Sequence, residues 1–158
     1  PMLFRNHAAN KLAALDLSQA VIEFEPDGKI ITANENFLKT MGYRLEEIRG
    51  QHHSLFVAPE DKDGPGYRQF WDELRAGRFQ VAEYKRIGKG GKEVWIQASY
   101  NPVKDSRGRV YMVAKYATDV TDQKLRNADI EGQLAAIHKA QAVIEFNLDG
   151  TILTANEN

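Results

Sequence analysis

The chain reads as an α+β protein whose elements run helix, two strands, several short helices, three strands and a helix. Three observations predict this. Residues 19–36 (QAVIEFEPDGKIITANEN) recur as residues 141–158 (QAVIEFNLDGTILTANEN), with 14 of 18 positions identical at an offset of 122. One structural unit is therefore used at least twice. Turn-forming stretches at 26–29, 88–91 and 105–108 each separate two apolar runs, which is the mark of hairpins. Tyr67, Phe70, Trp71 and Leu74 fall at i, i+3, i+4 and i+7, one face of a helix.

The elements follow in order. Residues 4–17 are helical, with Ala8, Leu12 and Leu15 on one stripe. Ile130, Leu134 and Ile137 repeat that spacing ahead of the second copy. Ala20, Val21, Ile22 and Phe24 make a first strand, Pro26-Asp27-Gly28-Lys29 a turn, and residues 29–32 a second strand. Asn34 or Thr32 is placed to cap a short helix. Phe37, Leu38 and Met41 face inward from it, and Gly42 ends it. Residues 45–49 form another helical turn stopped by Gly50, and Pro59 opens a further one. The helix carrying Tyr67 to Leu74 closes at Gly77. Strands over 79–87 and 92–103 pair across Gly88-Lys89-Gly90-Gly91, and 109–118 follows the turn at 105–108. From Thr121 the pattern is helical to about Ala140, softened by Gly132, which costs roughly 1 kcal/mol against alanine.

Composition narrows the function. The 21 basic and 22 acidic residues nearly cancel, so no general positive charge argues for nucleic acid. The absence of cysteine excludes disulfides, thiolate metal sites and cysteine nucleophiles. No apolar run approaches the roughly 18–20 residues of a membrane span, and no signal peptide stands out. A cytoplasmic protein with no membrane partner is expected. Pro1-Met2 reads as a tag remnant ahead of a native start at Met2. No enzyme is expected either. Gly88–Gly91 joins two strands and opens no helix, so it is no phosphate cradle. HExxH, a serine elbow and clustered metal ligands are all missing from the sequence. The expected organisation is an N-terminal helix (1–17), a first domain (18–121), a helical linker (122–140) and the opening of a second domain (141–158).

An ordered set of residues carries a resemblance over about 18–121. It runs Asp27-Gly28, Ala33-Asn34, Phe37, Met41-Gly42-Tyr43, Glu46-Glu47-Ile48 and Gly50. It continues through Gly91-Lys92, Trp95, Pro102-Val103 and Gly108 to Asp119-Val120-Thr121. The set resembles a PAS sensor domain. That resemblance implies a five-stranded antiparallel sheet with helices on one face, enclosing a small pocket. Asp119, Val120 and Thr121 are similar to the family's signal-transfer motif, leading into an output helix. Two such units joined by a helix resemble soluble chemoreceptors, in which a second PAS domain and a methyl-accepting signalling domain follow. Gly50-Gln51-His52-His53, Phe56 and the run from Trp95 to Pro102 are similar to the N-terminal unit of the biofilm-dispersion chemotaxis regulators. The flavin-binding aerotaxis receptor is a more distant match. Its Arg-His pair is replaced here by Val57-Ala58-Pro59-Glu60, which counts against flavin, and the light-sensing flavin branch needs a cysteine this chain lacks.

Candidate site residues follow from strand and helix geometry and from the family. His52 and His53 are candidate axial ligands to a haem iron, or else residues of a solvated loop. Trp71 either lines the pocket or belongs to the core, and core is the expected placement. Alternation puts Val94, Ile96, Ala98 and Tyr100 on the pocket side of their strand, and Trp95, Gln97, Ser99 and Asn101 on the outer face. Tyr84 and Arg86 share one side. Inward, Arg86 is a buried cation needing a carboxylate or phosphate; outward, which is the expected placement, it is an ordinary surface arginine. Lys115 poses the same question. Haem is the first candidate cofactor, FAD the second, and an empty pocket the third.

The expected function is sensory: a ligand, or a gas or redox cue read through a cofactor, shifts the last strand, and the linker helix relays that shift. The rival is a cofactor-free module that forms a homodimer through its N-terminal helix and outer sheet face. The hairpin at 141–155, marginal alone, is expected to lie against another surface as an added strand.

Overall fold

The computed structural model describes residues 2–142 and 144–158, with side chains from Asn6 onward. The chain divides into two compact units between Val120 and Thr121.

The first unit begins with α1 (Met2–Ser18) and a hairpin of β1 (Ala20–Phe24) and β2 (Ile30–Ala33). The turn between them is closed by Gly28 N donating to Glu25 O (2.9 Å) and Glu25 N donating to Lys29 O (2.8 Å). Its left-handed position falls to Gly28 at φ 91°, where a side chain would be strained. Asn34, and not Thr32, caps α2 (Glu35–Met41): its Oδ1 accepts from Phe37 N at 3.0 Å. The same oxygen accepts from Val21 N at 2.9 Å, while Nδ2 donates to Gln19 O at 2.8 Å. One side chain thus joins a helix start, a strand and the end of the preceding helix.

Next come α3 (Leu45–Ile48), a 3-10 helix (His53–Phe56), α4 (Pro59–Lys62) and α5 (Pro65–Arg75). Then β3 (Gln80–Ile87), β4 (Glu93–Lys104) and β5 (Val110–Asp119) complete an antiparallel sheet ordered β2-β1-β5-β4-β3. The short helices cover one face of it. Val94, Ile96, Ala98 and Tyr100 are buried there, against Ile22, Phe24, Phe37, Met41, Phe56, Trp71 and Leu74. The alternation predicted for β4 is the one observed, with Trp95 on the opposite face. Burying each large apolar side chain contributes about 1.5–3 kcal/mol. The apolar and polar faces separate cleanly in α5 and only weakly in α1; Leu12 and Leu15 remain exposed.

The second unit is α6 (Thr121–Ala140) followed by β6 (Ile144–Phe146) and β7 (Ile152–Ala155). The apolar stripe of α6, Ile130, Leu134 and Ile137, is exposed. The two strands pair with each other as a separate sheet, and all their residues are exposed. The expected surface for this hairpin, a symmetry-related or dimeric partner, lies outside the single chain. Among the described residues β6 pairs only with β7, antiparallel. No helix among the described residues is long and apolar enough to cross a membrane.

Candidate functional site

The adjacent histidines part company. Residues 50–53 run beside the start of β2, with Ile30 N donating to Gln51 O and His53 N donating to Gly28 O, both at 2.8 Å. His52 is exposed and braces the hairpin turn: Nε2 lies 2.9 Å from Asp27 O and Nδ1 3.0 Å from Ser54 Oγ. His53, one step along, points the other way and is fully buried. Its Nδ1 meets Tyr67 Oη at 2.7 Å and its Nε2 meets Tyr100 Oη at 3.0 Å. The ring stacks on Tyr67 and Phe70, with Phe24 and Trp71 edge-on. Burial pushes His53 well below its ordinary value, and the nearby charges of Arg86 and Lys115 push the same way. The ring is neutral, one nitrogen donating and the other accepting.

Arg86 contradicts its expected surface placement. It is 8% exposed and points inward beside Tyr84, whose ring centroid lies 4.6 Å from the guanidinium carbon. The register explains why: Arg86 pairs with Val94 and Tyr84 with Ile96, and directly opposed residues share a face. Lys115 is also inward, 1% exposed, opposite both Ile22 and Tyr100. Its Nζ lies 4.8 Å from the Tyr100 ring centroid and 5.6 Å from that of Phe37. Tyr100 is the hinge of this cluster, accepting from Arg86 Nη2 at 3.2 Å. Burial acts to raise Tyr100, but Lys115 and Arg86 together outweigh it and hold the phenol below its usual 10. Burial also lowers Lys115. Tyr67 and Tyr84 are pushed up to about 12, by burial above all.

A cleft of about 370 Å³ opens beside this cluster. Tyr67, Phe70, Tyr84 and Arg86 form its inner wall, while Glu60, Asp61, Gly64 and Gly66 form its rim. Ligand sites usually span about 300–1,000 Å³, and this one lies toward the small end of that range. Trp71 takes the core placement expected of it, and Ile96 is likewise core. Asp119 ends β5, and Val120 N donates to Trp95 O at 2.8 Å, just before α6 begins at Thr121.

Haem fits this arrangement poorly. Both nitrogens of both histidines are already engaged, His53 is walled in by aromatic rings, and His52 sits outside the cluster. No group of three or more His, Asp or Glu among the described residues is arranged to hold a metal. Sequence reasoning placed Tyr67 on an apolar stripe and missed it as the partner of His53. A hydroxyl on an otherwise apolar helix face was the available signal. The roles of Glu60 and Asp61 left no signal at all.

Residues 16–125 match the family model described as PAS fold. The chain is 43% identical over 147 residues to the biofilm dispersion protein BdlA of Pseudomonas aeruginosa, covering 93% of this chain and 35% of that protein. It is 26% identical over 134 residues to a blue-light-activated histidine kinase of Brucella canis, covering 83% of this chain and 27% of the kinase. The chain thus spans about a third of the length of the first relative and about a quarter of the second. Among solved structures it superposes on a PAS domain from Colwellia psychrerythraea with a TM-score of 0.64 at 20% identity, covering 73% of this chain and 98% of that one.

Proposed function

The chain belongs to the PAS fold family, and from that premise we propose that residues 18–121 are the sensory input domain of a cytoplasmic chemoreceptor-type regulator. On this reading, residues 1–17 lead into the domain and 122–140 form the output helix. Residues 141–158 open a second PAS domain, and a methyl-accepting signalling domain follows. The domain is itself no enzyme. It senses a small molecule in the cleft beside Tyr84 and Arg86. The observation that carries this is the polar cluster His53–Tyr67–Tyr100–Arg86 set inside an apolar core and opening on that cleft. Buried polar groups are costly unless they are hydrogen-bonded, and a cluster of them beside a cleft supports a binding role.

The relay is short. Tyr84 and Arg86 sit on β3, β3 pairs with β4, and β4 with β5. A ligand that favours one arrangement of the β3 residues biases the end of β5 at Asp119, Val120 and Thr121, and so the helix that follows. Asp119→Ala in the full-length receptor is expected to uncouple stimulus from output while leaving the cleft able to bind. Intact signalling in that variant would discard the relay. An absorption spectrum of protein made with added haem precursor is expected to show no Soret band, because both ring nitrogens of His52 and of His53 are already engaged.

A second reading keeps one observation in its favour: Leu12 and Leu15 of α1 are exposed. A homodimer through this helix would cover them. Light scattering on the chain with and without residues 1–17 decides it, since an unchanged mass removes α1 as the contact.

A further inference from the structure

Two buried basic side chains meet in the cluster. Arg86 is 8% exposed and Lys115 is 1% exposed, and a guanidinium stays protonated in proteins. Among the described residues no carboxylate forms an ion pair with either. Buried cations are normally matched by an anion.

The hydrogen-bond account of Arg86 is also incomplete. Nη1 donates to Lys85 O at 3.1 Å and Nη2 to Tyr100 Oη at 3.2 Å. Nε is buried with no acceptor. The internal candidates for a counter-charge are few. His53 is neutral or cationic and never an anion. Tyr67 and Tyr84, pushed up to about 12, keep their protons. Tyr100 is the one phenol whose surroundings favour ionisation, and it meets Arg86 through Nη2, leaving Nε without an acceptor. The arginine is therefore the wall of a cleft and is short of one acceptor.

From this we propose that the cleft takes a small monocarboxylate, its carboxylate held by the Arg86 guanidinium and its body against Tyr84 and Phe70. A planar fork with a free Nε–H matches the two oxygens of a carboxylate. The aromatic wall suits an apolar or planar body. The rim sets the charge: Glu60 and Asp61 stand at the mouth and repel a second negative group, so dicarboxylates and polyphosphates are disfavoured. The inference rests on the cleft being the sensory site and adds the chemical class of what enters it.

The test is titration of this chain with acetate, butyrate and benzoate, with benzamide as the uncharged match for benzoate and succinate as the dianion. It is followed by calorimetry and by the NMR signals of the Tyr84 and Phe70 rings and the Arg86 Nε–H. Monocarboxylates should move those signals, with benzoate binding about tenfold or more tighter than benzamide, the difference of roughly one charge-assisted hydrogen bond. Succinate should bind more weakly than butyrate. Arg86→Gln should remove the preference for benzoate over benzamide, and Arg86→Lys should keep part of it. The preference of the unaltered chain needs no variant, so a misfolded Arg86→Gln would not blunt the test. Equal binding of benzoate and benzamide would overturn the carboxylate inference and leave the cleft as a ligand site. Unmoved Tyr84 and Phe70 signals with every carboxylate at millimolar concentration would also overturn it. If benzamide too left them unmoved, the cleft reading would fall with it.

Discussion

The two copies of the hairpin are nearly identical in sequence and opposite in fate. In the first, Ile22 pairs with Ala33, Glu23 with Thr32 and Phe24 with Ile30. In the second, Ile144 pairs with Ala155, Glu145 with Thr154 and Phe146 with Ile152. The pairing shifts at the same step in both, just before the phenylalanine. Each copy is tied to the helix before it by the same asparagines: Asn34 to Gln19 O and Asn36 to Asp16 O, and Asn156 to Gln141 O and Asn158 to His138 O. Yet Ile22 and Phe24 are fully buried, while Ile144 is 50% and Phe146 58% exposed. The eighteen-residue text thus encodes a turn, a register and a cap. Burial comes from β5 and the helices that lie over β1, which only the first copy has among the described residues.

The sharpest break of this symmetry is truncation of the matched phenylalanines. Phe24→Ala should cost about 3–5 kcal/mol through lost transfer energy and a cavity under Trp71 and His53. Phe146→Ala should change stability by no more than about 0.5 kcal/mol. Urea unfolding of both variants measures the gap, and a large cost at Phe146 would mean that the second hairpin is packed on something in solution.

The matched glycines come next. Gly28 at φ 91° and Gly150 at φ 87° share the same left-handed backbone, so alanine strains both by about 1 kcal/mol or somewhat more. Their surroundings differ. A Cβ on Gly28 would sit 2.5 Å from His52 Nε2 and 3.1 Å from Trp71, whereas nothing lies within 4 Å of one on Gly150. Gly28→Ala should therefore also displace His52 from Asp27 O, and its excess cost over Gly150→Ala isolates that contact. Equal costs would show that the imidazole moves aside freely.

Protons give a third contrast, because only the first hairpin has a buried histidine against it. The folded state holds His53 well below 6.5 while the unfolded chain protonates it near that value. Below 6.5 the unfolded state therefore binds more protons, and stability falls as pH drops, by up to about 1.4 kcal/mol per pH unit. The lowered carboxyls Glu47, Glu73, Asp105 and Asp149 act only further down, below their ordinary values of 4.5 and 3.8. Between about pH 6.5 and 5 the slope should thus belong to His53 and flatten in His53→Gln. A slope that survives the substitution would assign it elsewhere.

These contrasts show which features a sequence can reveal. The turn at Gly28, the α5 stripe and the inward face of β4 depend on neighbours within a few residues, and each follows from local spacing. Arg86 did not. Alternation shows that Tyr84 and Arg86 share a side, but the side itself depends on the register across the 88–91 connection. There a 3-10 turn (Lys89–Gly91) with Gly90 and Gly91 in left-handed conformations sets Arg86 against Val94. Placing that turn first would have sent the arginine inward, since Val94 is plainly apolar. His53 is harder still. Its partners lie 14 and 47 residues away, and only the folded sheet brings them within reach, so an adjacent histidine pair cannot reveal that one ring braces a turn and the other enters the core.

The smallest contrast lies in the caps, and it tests the claim that they are local. Asn34→Ala removes the acceptor for Phe37 N and Val21 N and the donor to Gln19 O. Loss of a side-chain cap typically costs about 1 kcal/mol, and the value here should stand at or above that because Oδ1 serves two backbone donors. Asn156→Ala removes the bonds to His138 O and Gln141 O. If the cap acts only on its own helix end, Asn156→Ala should leave the main unfolding transition where it is. It should instead speed amide exchange at the end of α6 and in the second hairpin, where opening is already cheap. Asn34→Ala should do the reverse, shifting the whole transition because β1 is bound into the five-stranded sheet. A shift of the main transition by Asn156→Ala would show that the second copy is energetically joined to the first, and the separation drawn from their burial would no longer hold.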